Sequence, residues 1–220
     1  MKVEIWSDVV CPFCYVGKRR FGNALESFPH ADVVTVLWRS FELDPGAPAR
    51  TPGTLEERLA AKYGVTLAEA RAMNERVVAM SHGEGLEVRL DLAKPGSTFG
   101  AHRLIHLAAE HGLQHQAKER ALRAYWLEGR PIGELDTLVE IGIEIGLEPA
   151  VVRAALEGDA YAEAVREDER EAASLGVQGV PFFVFDRRFA VSGAQPTELF
   201  GRALQQAWQA TSHQASVAAS

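Results

Sequence analysis

The sequence predicts an α/β fold in which a βαβ unit at the start and a ββα unit at the end share one sheet, with a large all-helical insertion between them. Three observations predict it. Residues 2–7 alternate Val3 and Ile5 against Glu4 and Trp6, the period-two pattern of a strand. Residues 33–41 (VVTVLWRSF) are almost continuously apolar and β-branched. Sheet character then disappears until Phe182-Phe183-Val184-Phe185 and Phe189-Ala190-Val191, which flank a turn at Asp186-Arg187-Arg188 and read as a hairpin.

The elements follow in order. After the first strand, Cys11 opens a helix that ends near Phe28-Pro29, and Pro12 suits the first helical position because its missing N–H is no loss there. The run 33–41 reads as a strand buried on both faces. Asp44-Pro45-Gly46-Ala47-Pro48 and Thr51-Pro52-Gly53 make a linker. Residues 54–175 read as helices: Thr54-x-x-Glu57 and Thr66-x-x-Glu69 are capping-box patterns, and Gly64, Gly83, Gly112, Gly129, Gly146 and Gly158 fall where helices should stop. Residues 86–92 are extended or loop-like. A last helix covers 196–208. The expected organisation is therefore 1–44 and 176–210 as the two parts of the sheet domain, 54–175 as the helical insertion, and 211–220 as a flexible Ser/Ala/Gln-rich tail.

Composition narrows the function. Apolar residues make up 47% of 220, enough for a packed core. The net charge of −7 argues against a nucleic-acid binder, which needs a basic surface. No apolar run approaches the ~20 residues that span a bilayer. The opening MKVEIWSDVVCPF lacks the apolar stretch of a signal peptide, so the expected location is the cytoplasm.

The chain has two cysteines, three positions apart, in Cys11-Pro12-Phe13-Cys14. A reducing compartment is a poor place for a structural disulfide, and so short a loop constrains the unfolded chain little. A helix N-terminus presents unpaired N–H groups and a partial positive charge, which lower a thiol pKa. Cys14 lies one turn along on the same face. The expectation is that Cys11 is the exposed attacking thiolate and Cys14 the deeper resolving thiol. A zinc half-site is the competing reading, but four ligands are usual and there is no second cysteine pair. Gly179-Val180-Pro181 stands immediately before a strand, where a proline belongs at the start or edge. A cis bond there would turn the backbone of Val180 towards an extended substrate.

Strand, C-x-x-C at a helix start, helical insertion and Val-Pro before a hairpin together resemble the DsbA-like branch of the thioredoxin superfamily. Ser7-Asp8-Val9-Val10-Cys11-Pro12-Phe13-Cys14 and Val191-Ser192-Gly193-Ala194-Gln195-Pro196 are similar to the FrnE subfamily. The resemblance implies a thioredoxin fold with an inserted helical subdomain. It implies Cys11 as nucleophile, Cys14 as resolving thiol and Pro181 as a cis-proline facing them. Pro12, Phe13, Val180, His102 and Gln195 are the expected substrate-binding residues. Ser97-Thr98-x-x-Ala101-His102-Arg103 resembles a stretch that FrnE-type proteins and kappa-class glutathione transferases place at the cleft, against the simpler reading of Ser97 as a helix N-cap. The periplasmic enzymes carry histidine inside the pair, where this chain has Phe13, so their oxidising power is not implied.

Two further patterns read as surface. His102-x-x-x-His106 and His111-x-x-x-His115 have helical spacing without an accompanying carboxylate cluster, and no metal site is expected. Lys18-Arg19-Arg20 is a basic patch on the first helix. The expected activity is thiol–disulfide exchange, with no bound cofactor beyond a redox-active Cys11–Cys14 disulfide and with glutathione as a candidate co-substrate. Partners would be protein or small-molecule thiols and disulfides, with a homodimer as a candidate assembly and with no nucleic acid or membrane. The alternative is a glutathione-dependent isomerase or transferase of the hydroxychromene-carboxylate isomerase/kappa type. Those enzymes place serine where Cys11 stands, and an Asp-Arg pair after a glycine where this chain has Gly193-Ala194-Gln195-Pro196. A non-enzymatic chaperone or binding module would leave the cysteine pair unexplained.

Overall fold

Alternation along the first strand decides how the sheet is covered. In β1 (Lys2–Ser7), Val3 and Ile5 enter the main core, while Glu4 and Trp6 face the opposite side of the sheet and are also buried. The computed structural model describes residues 1–218, with side-chain surroundings for residues 1–210. After β1 come α1 (Pro12–Glu26), β2 (Thr35–Ser40), seven helices, β3 (Phe182–Phe185), β4 (Phe189–Ser192) and α9 (Thr197–Ala218). The seven helices are α2 (Leu55–Tyr63), α3 (Leu67–Gly83), α4 (Phe99–Glu110), α5 (Gln114–Trp126), α6 (Leu135–Glu144), α7 (Pro149–Glu157) and α8 (Ala162–Ser174). Strand order is β2-β1-β3-β4, with β1 parallel to β2 and antiparallel to β3, and β3 antiparallel to β4. The two ends of the chain thus build one sheet of thioredoxin type around a helical insertion.

The strand expected to be buried on both faces is shorter and half-exposed: β2 buries Trp38 and Ser40 and leaves Thr35 exposed. It lies at the sheet edge, so an apolar run here reflects packing against α5 and α8 rather than central position. The capping boxes at Thr54–Glu57 and Thr66–Glu69 are both formed, and Gly64 closes α2 in the left-handed conformation that favours glycine. The N-cap of α4 is Thr98 rather than Ser97, although Ser97 Oγ accepts the Phe99 N–H at 3.2 Å. The expected tail, 211–220, is helical backbone as far as Ala218, and its last two residues lie outside the described residues.

On one face of the sheet, α1 and α9 pack over an aromatic cluster in which Phe183 and Phe200 approach to 4.5 Å between ring centroids and Phe21 meets both within 6 Å. On the other, α8 lies against Trp6, whose Nε1 donates to the Asp168 carbonyl at 2.8 Å. Glu4 is 1% exposed on that face and is ringed by Arg39 at 2.5 Å, Arg187 at 2.6 Å and Lys2 at 3.1 Å. Arg39 also reaches Asp168 at 2.9 Å, so this ionic layer ties the sheet to α8.

Burial opposes ionisation of Glu4, but hydrogen bonds from Arg187, Arg39 and Lys2 outweigh it and hold the carboxyl at about 2. A folded-state value below the ordinary 4.5 means that the ionised carboxylate stabilises the fold fully above about pH 4.5 and progressively less as pH falls towards 2. Glu4→Gln is therefore expected to cost on the order of 3 kcal/mol at pH 7. The difference from wild type should shrink as unfolding is measured at successively lower pH; a difference independent of pH would rule out this electrostatic origin.

Candidate active site

Cys11 occupies the N-cap of α1 with extended backbone (φ −97°, ψ 113°), and the Cys14 N–H donates to its carbonyl at 3.0 Å. Pro12 at the first helical position fixes where the helix begins. Both cysteines are free thiols. Cys11 Sγ donates to the Val180 carbonyl at 3.4 Å. The Val180–Pro181 peptide bond is cis. Gly17, one turn beyond Cys14, sits so close to Pro181 that a Cβ would lie 2.8 Å from the proline Cγ. The absence of a side chain at Gly17 is what lets α1 and the Pro181 segment meet.

Cys11 is not the exposed thiol expected from its position. It is 4% exposed, against 1% for Cys14. Its sulfur lies beneath Val180 but opens on a cavity of about 1040 Å³ that Pro12, Phe13 and Val180 also line. The expected lowering of its pKa is reversed as well. The Cys14 sulfur, burial and the Asp8 carboxylate push the Cys11 thiol well above its ordinary value, and the hydrogen bond from the Cys14 N–H does not offset them. A partial helix charge is too weak to balance desolvation in so dry a position.

The structure surrounds the pair with ionisable groups that sequence reasoning missed. Asp8, fully buried at the end of β1, accepts from Leu43 N–H at 2.8 Å and meets His102 Nε2 at 3.3 Å. Burial would raise its pKa, but His102, Leu43 and the charge of Lys118 outweigh this and keep it a carboxylate. Burial pushes the His102 imidazolium down more than Asp8 holds it up, which favours the neutral ring. Lys118 is 1% exposed and donates to the Ser7 carbonyl at 3.1 Å. Burial lowers its pKa to about 8, while Cys14, Asp8 and Cys11 each favour its charged form. By reciprocity, the Lys118 ammonium favours a thiolate in the pair. A lysine at mid-helix carries no sequence signal of this role, because its burial depends on α5 docking against β1.

Of the other expected site residues, His102 is buried behind Asp8 and does not line the cavity. Gln195 donates through Nε2 to Ser192 O at 2.8 Å and also lies away from it. Of the histidines and basic residues read as surface, His111 and His115 are exposed as expected, whereas Lys18, Arg20 and His106 join elements. His106 meets Ser40 at 3.0 Å and Asp168 at 3.1 Å, and His115 meets Lys18 at 3.2 Å. Lys18 is 9% exposed and paired with Glu119 at 2.5 Å, and Arg20 is paired with Glu84 at 2.6 Å. Lys18 becomes interior, and His106 and Arg20 half-buried, where the inserted helices pack on α1 and β2. Among the described residues, no group of three or more His, Cys, Asp or Glu side chains is placed to hold a metal.

Removing the Lys118 charge by Lys118→Met is expected to slow alkylation of Cys11 at neutral pH by ~10-fold and to shift its rate–pH midpoint upward by about one unit. An unchanged midpoint would show that the ammonium does not act on the pair. Gly17→Ala should lower stability by roughly 1–3 kcal/mol through overpacking against Pro181, read as a lower denaturant midpoint at constant m-value.

A family model described as a DSBA-like thioredoxin domain matches residues 2–205. A probable DsbA oxidoreductase from Streptomyces coelicolor superposes with a TM-score of 0.91 at 48% identity, over 95% of this chain and 90% of that one. The cytosolic disulfide reductase DsbM of Pseudomonas aeruginosa, in its structure with GSH, shares the fold with a TM-score of 0.67 at 20% identity, over 94% and 98% of the two chains. An uncharacterized protein of Bacillus subtilis (strain 168), YwbO, is 28% identical over 204 residues, 92% of this chain and 94% of that protein. Sequence, fold and these likenesses agree that the chain belongs to the DSBA-like thioredoxin domain family.

Proposed function

We propose that this protein is a thiol–disulfide oxidoreductase that works through Cys11 and Cys14. The observation that carries the reading is the placement of Cys11: at the N-cap of α1, with its sulfur against the Val180 carbonyl and open to a cavity that Cys14 does not line. Cys11, as thiolate, attacks one sulfur of a substrate disulfide. A Cys11–substrate disulfide forms, the substrate S–S bond breaks, and one substrate thiolate leaves with the electron pair. The Cys14 thiolate then attacks the Cys11 sulfur, releases the second substrate thiolate and closes the Cys11–Cys14 disulfide. Two electrons reach the substrate, and the two protons of the dithiol end on the two released thiols. An external thiol reverses the sequence and restores the dithiol.

The Cys11 thiol, pushed up by burial, needs help to ionise, and the Lys118 ammonium supplies a positive charge beside the nascent thiolate. Asp8, kept ionised by its own partners, opposes the thiolate and favours proton retention once the dithiol has formed. The resemblance to FrnE-type proteins supports the same roles for the pair, with Pro181 and Val180 as the segment a substrate meets. Both cysteines of the sequence are in this site, leaving none for a structural bridge, which favours a reducing, cytoplasmic setting. Glutathione and protein thiols are both proposed as exchange partners.

The test is reduction of insulin disulfides with dithiothreitol as the reductant. Cys11→Ser is expected to abolish the activity, and Cys14→Ser to accumulate mixed disulfides because the resolving step is lost. Activity that persists in Cys11→Ser would defeat the redox mechanism and favour the glutathione-dependent isomerase reading.

A further inference from the structure

The cavity that Cys11 opens into is large, mostly apolar and unlike the rest of the surface in charge. At about 1040 Å³ it is at the upper end of the range that holds a drug-sized ligand. Its apolar wall is built from α2 and α3, with Leu59, Met73, Val77 and Met80 facing Phe13 and Trp126. A peptide laid across such a wall would leave most of its backbone N–H and C=O groups without partners. A compact apolar molecule would not.

Two polar groups in this wall have no protein partner among the described residues. Tyr125 is 1% exposed and its hydroxyl makes no hydrogen bond, and the carboxamide of Asn74, which is 9% exposed, makes none either. Both can donate a hydrogen bond. Charge points the same way. In a protein of net charge −7, the lining carries three cations, Arg58, Lys62 and Arg76, against a single carboxylate, Asp44. Arg58 pairs with Asp44 at 3.3 Å, which leaves Lys62 and Arg76 without a carboxylate partner among the described residues.

We propose that this cavity binds a small-molecule disulfide, or the thiol it yields, with an aromatic-sized apolar body and an anionic end that accepts hydrogen bonds from Tyr125 Oη and Asn74 Nδ2. The proposal rests on the exchange reading and names its substrate class. The apolar body lies along α2 and α3 with its sulfur at Cys11. The cations draw in the acid, and the two donors fix its orientation. The exchange step is the one described above: the bound disulfide takes two electrons from the Cys11/Cys14 dithiol and leaves as two thiols, and an added thiol such as dithiothreitol restores the dithiol.

Binding and turnover are measured separately, so that the two ideas can fail separately. The binding probe is 4-(phenylthio)benzoate, a thioether that cannot exchange, titrated calorimetrically into the wild-type protein. Saturable binding at or below roughly 1 mM is expected. It should weaken by about tenfold in both Tyr125→Phe and Asn74→Leu, and it should be lost in Val77→Trp, which fills the cavity from its far wall. The turnover probes are bis(4-carboxyphenyl) disulfide and bis(2-hydroxyethyl) disulfide, each rate divided by that probe's own rate with free dithiothreitol. The normalised kcat/KM should favour the carboxyaryl probe by at least tenfold, and Tyr125→Phe should reduce that ratio. No saturable binding by the folded wild-type protein overturns the proposal, as does binding that all three variants leave intact. Equal normalised rates for the two disulfides overturn it as well. Tight thioether binding with no turnover of either disulfide would support the cavity and sink the exchange reading alone.

Discussion

The buried carboxylate of Asp8 is the constraint on which the site depends. It ends β1, three residues before Cys11, and it is held from two directions: by the Leu43 N–H after β2 and by His102 from α4. The residues on either side are held too, with Ser7 O accepting from Lys118 and Val9 O from Trp126 at 2.8 Å, both on α5. An unpaired carboxylate in such a position would be costly by several kcal/mol, so these partners are conditions of folding rather than additions to it. The consequence is mechanical. The turn that aims Cys11 is clamped by the inserted helices, and the sulfur cannot be placed correctly unless the insertion has docked.

The same docking sets the electrostatics of the pair. An isolated helix N-terminus would favour a thiolate at Cys11. Here the sulfur is dry and flanked by the Cys14 sulfur and the Asp8 carboxylate, and these effects win. Lys118 is the compensating charge, held close by the contact that fixes the Ser7 carbonyl. The proposed exchange at this site would therefore rest on a balance between one buried anion and one buried cation, each supplied by a different part of the chain. Phe13 adds apolar cover rather than charge, and at 45% exposed it forms the outer lip of the cavity.

A second ionic layer surrounds Glu4. Glu4, Arg39, Asp168 and Arg187 connect β1, β2, α8 and the β3–β4 turn. His106 adds a link from α4 to the same Asp168. The inserted helices are thus fastened to the sheet by polar contacts near Cys11 and by ion pairs around Glu4. Charged residues such as Lys118, Asp168 and Arg103 are interior because they lie where the inserted helices meet the sheet or one another.

Much of this was legible in the sequence. The strand alternation at Val3 and Ile5, the hairpin on either side of Asp186-Arg187-Arg188, the capping boxes at Thr54 and Thr66, and the Cys-Pro-Phe-Cys helix start are all local signals. Local backbone preferences and side-chain periodicity determine them, and they survive in any tertiary context that keeps the sheet. What only the tertiary structure decided was long-range. Whether β2 was central or at an edge, whether Lys118 and His102 faced water or the core, and whether Cys11 was exposed all depend on which helices cover it. The rise in the Cys11 pKa arises where segments distant in sequence meet and exclude water, and the unpartnered donors of Tyr125 and Asn74 where such segments meet around a cavity. Desolvation is a property of the assembled interior, and no single segment of the chain encodes it.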